Sequence, residues 1–146
     1  MTYRLHDSLG FRLSRVARIQ ERRLDLGLRA IGLTRTTWCV LLAVGNEGLT
    51  QPSDIAEFIG IDRTATSRAL RQMEAEGLIA RTAGDKDGRT RQVNLTKEGQ
   101  ARLKRGTPVA EDNAAKLANR LGEKDVALLK ERLDRLIEGE PLLPKL

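Results

Sequence analysis

The stretch TQPSDIAEFIGIDRTATSRALRQMEAEGLIARTAGDKDGRTRQVNLT, residues Thr50–Thr96, decides how this chain folds. Pro52 pushes the residue before it toward extended geometry, so Thr50–Pro52 reads as a short extended lead-in. Ser53 is placed to cap a short helix from Asp54 to about Phe58, with Ile55, Ala56 and Ile59 on its buried side. Gly60 makes a turn. Asp62 then caps a longer helix running to about Glu76, where Gly77 ends it. Leu78–Thr82 and Arg91–Thr96 are two strand-like runs, and Ala83–Gly88 between them is rich in Gly and Asp, as hairpin tips are. Short helix, glycine turn, longer helix and hairpin together describe a winged helix-turn-helix.

Such a unit has a chemical purpose. The DNA major groove admits one α-helix, so that helix needs one face packed on the protein and another left bare for base edges. Between Asp62 and Glu76, Thr66, Ala69, Leu70 and Met73 make the inward face. Thr64, Ser67, Arg68 and Arg71 recur at i, i+3, i+4 and i+7 on another face, with Arg63 at the helix start. Hydroxyl residues allow close approach, and Arg grips guanine or phosphate. The expected DNA-contacting set is Arg63, Thr64, Thr66, Ser67, Arg68 and Arg71. Arg89 in the loop and Arg91 at its exit add a basic hairpin suited to a minor groove. Asp85 and Asp87 would repel DNA. Pairing with Arg89 or Arg91 would give them a role, and ordinary turn chemistry would equally account for them.

Outward from this unit the chain is helical. Tyr3 to about Ile31 reads as one long amphipathic helix with Leu5, Leu9, Leu13, Val16 and Ala17 on its apolar side and Gly32 as its stop. Thr34 begins a second helix through Trp38 and Val44. Thr96 begins another, which Pro108 is expected to bend or interrupt. A last amphipathic helix after Gly122 uses Val126, Leu129, Leu133, Leu136 and Ile137. The apolar stripes of the first and last helices exceed what one small wing unit covers, which favours self-association as a homodimer. The expected fold class is mainly α with a small β-hairpin wing.

Bulk composition agrees. The 146 residues suit one domain, and 3% aromatic content is low for a β-sandwich. A net charge of +6 points to a polyanionic partner. One Cys and one His exclude an intrachain disulfide framework and a Cys/His zinc site. The longest apolar run, Trp38–Val44, is too short to span a bilayer, and a soluble cytoplasmic protein with no membrane partner is expected. No phosphate loop, nucleophile elbow or metal-ligand set marks an enzyme, and no cofactor is expected.

The run Asp85–Lys86–Asp87–Gly88–Arg89–Thr90–Arg91–Gln92–Val93–Asn94–Leu95–Thr96–Lys97–Glu98–Gly99 resembles the wing signature of the MarR family of transcription regulators. Leu33–Thr34 with Trp38, Val40 and Leu41, and Ile55–Ala56 followed by Met73–Glu74 and Gly77–Leu78–Ile79, resemble it too. The resemblance covers nearly all of residues 1–146 as a single domain. It implies residues 1–32 and 100–140 as a helical dimerisation region and 50–96 as the DNA-binding unit. The helix from Arg63 would be the recognition helix and Arg89 the wing-tip arginine. The resemblance also implies a homodimer on a pseudo-palindromic promoter site, acting mostly as a repressor. Many members release DNA when a small aromatic or phenolic acid binds.

For such a ligand, Trp38 with Arg12 or Arg15 could line a pocket, the arginine countering a carboxylate; Trp38 as core and surface arginines is the plainer reading. Cys39 sits in the apolar run Trp38–Leu42 and reads as a small buried hydrophobe, a redox-responsive thiol being the alternative. His6 reads as an ordinary surface or interface residue. A winged-helix module that meets a protein instead of DNA is the remaining alternative.

Overall fold

The computed structural model describes residues 1–83 and 91–141. A 3-10 turn, Leu5–Asp7, precedes α1 (Leu9–Arg29), α2 (Arg35–Gly45), α3 (Pro52–Ile59) and α4 (Arg63–Ala75). Strands β1 (Ile79–Ala83) and β2 (Arg91–Leu95) follow, then α5 (Lys97–Ala118) and α6 (Glu123–Ile137). The strands pair antiparallel, from Ile79 opposite Leu95 to Ala83 opposite Arg91. The architecture is mainly α with a hairpin wing, as the sequence indicates. Arg89, Asp85 and Asp87 lie outside the described residues.

Several boundaries differ from expectation, each for a local reason. The first helix does not begin at Tyr3: Ser8 is extended (φ −75°, ψ 143°) and its hydroxyl accepts the Phe11 N–H at 3.2 Å. That cap starts α1 at Leu9 and leaves the residues before it in a separate turn. The third helix starts at Pro52, with Gln51 rather than Ser53 at the N-cap position. Proline suits this first position, where its missing N–H has no helical partner to lose. The hairpin strand after α4 runs from Ile79 to Ala83, one residue later than the sequence suggests. Pro108 does not interrupt α5, which continues through it to Ala118. The ring leaves only the Lys104 carbonyl without its helical donor.

The core gathers where α2, α3, α4 and the hairpin meet. Leu41, Ile55, Leu70, Met73, Leu78 and Val93 are fully buried there, and Leu28 of α1 joins them. Each such side chain contributes roughly 1.5–3 kcal/mol of apolar burial. Helix α5 runs alongside this core and also packs on α1, where Asn113 Nδ2 donates to Gln20 Oε1 at 3.3 Å. The start of α1 and all of α6 stay outside it. Leu9 and Val16 are exposed, and α6 buries none of its residues.

Candidate nucleic-acid interface

Helix α4 is held at both ends by its own sequence. At its start the Asp62 carboxylate accepts the Ala65 N–H at 2.6 Å, and at its end Gly77 turns the chain with φ +74°. Before it, Gly60 caps α3 in the left-handed region (φ +79°), the conformation that lets two helices follow each other within three residues. Packing then fixes the rotation of α4. Ala69, Leu70 and Met73 are buried against the core, so the opposite side must face outward.

Arg63, Thr64, Ser67, Arg68 and Arg71 are all exposed on that outward side. Together they form one basic, hydroxyl-bearing stripe running from the N-terminus of the helix. Apart from the capping Asp62, the carboxylates lie toward its other end, at Glu74 and Glu76. The Asp62 cap takes up the Ala65 amide at that start, so the positive charge of the stripe is carried by Arg63, Arg68 and Arg71. Thr66 departs from the expected set. It is 1% exposed and its hydroxyl donates to the Asp62 carbonyl at 2.9 Å, so it belongs to the core and to the helix's first turn. Ala69, Leu70 and Met73 follow it at i+3, i+4 and i+7, and that shared face is the sequence signal for its burial.

Arg91 opens β2, is exposed, and pairs across the hairpin with Ala83 of β1. Arg81, absent from the expected set, shares a strand face with Ile79 and leans on α4. Its Nε lies 3.9 Å from Glu74 Oε2, and Nε and Nη2 are buried without a hydrogen-bond partner among the described residues. Period-two alternation from buried Ile79 is the available clue.

The residues considered for a ligand pocket are not brought together. Trp38 is 4% exposed and its ring covers Gly106 of α5. Arg12 and Arg15 are exposed near the start of α1. Arg12 Nη1 donates to the Ser8 carbonyl at 3.4 Å, and the Arg15 guanidinium lies 5.9 Å from the centre of the Phe11 ring. His6 meets the same ring edge-on at 4.7 Å. A groove of about 460 Å³ at the turn between α5 and α6 is lined by other residues, Asn119, Glu123 and Lys130 among them.

Cys39 is half-buried. Burial pushes its thiol above the ordinary value of 9.0, and the Arg35 guanidinium pulls the other way. Arg35 is itself engaged by α1: Nη1 donates to Glu21 Oε1 at 3.0 Å and Nε lies 3.2 Å from both Asp25 carboxylate oxygens. This clasp ties the start of α2 to the middle of α1. Among the described residues no group of three His, Cys, Asp or Glu could hold a metal, and no helix is long and apolar enough to cross a membrane.

A model of the MarR family matches residues 31–90, which take in α2, α3, α4 and β1. A probable transcriptional regulator from Pseudomonas aeruginosa is 28% identical, with a TM-score of 0.82 over 92% of this chain and 100% of its own. Residues 31–90 are thus similar to the MarR family, and the fold around them is the winged-helix fold that family shares. The likeness is to winged-helix transcription regulators rather than to an enzyme. Two further structures share the MarR fold. A mutant MarR from E. coli complexed with operator DNA has a TM-score of 0.82 at 24% identity, covering 88% of this chain and 93% of its own. BpsR of Bordetella bronchiseptica, whose DNA binding is regulated by 6-hydroxynicotinic acid, has a TM-score of 0.88 at 20% identity, covering 96% and 100%.

Proposed function

We propose that this chain is a MarR-family transcription regulator that binds a pseudo-palindromic promoter site in double-stranded DNA as a homodimer, and that it acts as a repressor. One observation carries the reading: α4 buries Thr66, Ala69, Leu70 and Met73 and leaves Arg63, Thr64, Ser67, Arg68 and Arg71 bare. That stripe enters the major groove, and Arg89 and Arg91 reach the flanking minor groove. The E. coli relative bound to operator DNA supports the assignment. Residues 50–96 form the DNA-binding unit, and residues 1–32 with 100–140 form the dimerisation region. The exposed apolar side chains of α1 and α6, Leu9, Val16, Leu129, Leu136 and Ile137 among them, support the latter.

Release by a small aromatic or phenolic acid is part of the proposal, supported by the response of BpsR to 6-hydroxynicotinic acid. Trp38, Arg12 and Arg15 are the residues assigned to it on chemical grounds.

A salt-stepped titration on the DNA upstream of the protein's own gene, followed by selection from a random duplex pool, tests the reading. Tight binding that weakens steeply with salt is expected, on a site whose half-site centres lie about 10 base pairs apart. Failure to enrich any duplex at low salt, with capture of a protein partner instead, would establish the protein-interaction alternative.

A further inference from the structure

We infer that Thr96 is a positioning residue: it ties the recognition helix to α5 and so sets the half-site spacing that the protein accepts. The Thr96 hydroxyl joins two helices. It accepts the Gly99 N–H, in the first turn of α5, at 3.0 Å. It donates its own proton to the carbonyl of Gly77, the residue that ends α4, at 2.5 Å. The Thr96 N–H donates to the Leu78 carbonyl at 3.1 Å, and the Leu78 N–H donates back to Met73 of α4 at 2.9 Å. A continuous hydrogen-bonded path therefore runs from the first turn of α5 to the last turns of α4.

An N-cap threonine ordinarily serves the amides of its own helix. This one commits its only proton to the end of another. Gly99 reinforces the tie, because a Cβ there would run into the Leu78 carbonyl oxygen, so the two backbones meet with no room between them.

The consequence rests on the dimeric DNA-binding reading above. In a two-fold dimer joined through α5, the separation of the two recognition helices depends on how each α4 is held against its own α5. Loosening that hold leaves each helix able to grip its half-site but lets the pair adapt to other separations.

The test begins with the sequence that wild-type protein selects from a random duplex pool, rebuilt with one or two base pairs added or removed at its centre. Affinities are measured for wild type, Thr96→Ser, Thr96→Val and Thr96→Asp, with an isolated half-site as the reference. Serine keeps both hydrogen bonds. Aspartate keeps the acceptor that caps α5 but has no proton for Gly77, so it separates capping from tying. Wild type and Thr96→Ser should prefer the selected spacing by about tenfold or more, and Thr96→Val and Thr96→Asp by less than about threefold, with half-site affinity unchanged. Should Thr96→Val fail to fold, the capped Thr96→Asp protein carries the comparison.

Wild-type discrimination in Thr96→Asp overturns the inference, and so does loss of discrimination in Thr96→Ser. A wild type that binds one half-site as tightly as two refutes the dimeric reading itself and takes the inference with it.

Discussion

The ring of Trp38 occupies the space that a side chain at Gly106 would need. A Cβ built on Gly106 would lie 2.7 Å from Trp38 Cε3 and 3.2 Å from Cη2. The missing side chain is what lets α2 and α5 close on each other, and the indole fills the seam. Gly106→Ala is expected to destabilise by about 1–3 kcal/mol through overpacking, despite the higher helix propensity of alanine. Trp38→Ala is expected to cost about 3–5 kcal/mol through the cavity it leaves. Urea denaturation followed by far-ultraviolet circular dichroism checks both; an alanine at 106 that stabilises the protein would mean the seam is looser than the geometry indicates.

Thr66 and Arg68 sit two residues apart on one helix and should fail differently. Thr66→Val removes the bond to the Asp62 carbonyl and is expected to cost about 0.5–1.5 kcal/mol of stability while leaving DNA affinity intact. Arg68→Ala or Arg71→Ala should keep the melting temperature and lose about 1–3 kcal/mol of DNA binding. Paired melting and binding measurements decide it, and a Thr66 variant that folds well but no longer binds would return that residue to the DNA face.

On the wing, Arg89→Ala and Arg91→Ala are each expected to weaken DNA binding by about 1–3 kcal/mol with the fold preserved. If either residue meets phosphate, its loss should also reduce the salt slope by about 1. An unchanged affinity in the Arg89 variant would remove that residue from the interface.

The Cys39 thiol should label slowly at neutral pH. Burial raises its pKa, so the thiolate that reacts is scarcer in the folded than in the unfolded chain. Arg35→Gln removes the opposing charge and should slow labelling further. The sign for stability follows from linkage. A folded-state pKa above the unfolded one leaves stability unaffected below the ordinary value of 9.0, and stability falls as pH rises through the folded value. Rapid, complete labelling of native protein at neutral pH would instead favour the redox-responsive reading.

Much of the fold is legible in the sequence because punctuation and periodicity agree. Gly60, Asp62 and Gly77 bound α3 and α4 where expected, and the 3.6-residue pattern places Leu70 and Met73 in the core. The cap at Ser8 is hidden because Leu5 continues the apolar spacing of α1 across it, and periodicity does not register a break in the backbone. Thr66 fits both faces on sequence grounds, since a threonine suits a DNA contact and a helix's buried first turn alike. The candidate pocket is the least legible part: chemistry alone groups Trp38, Arg12 and Arg15, and only packing shows Trp38 committed to Gly106.

Helix α6 buries none of its 15 residues. A helix of that length with no buried residue to hold it is close to its own melting point in water. Its ellipticity should therefore behave as a concentration gauge, present in a concentrated sample and fading on dilution well before α2, α3 and α4 lose theirs.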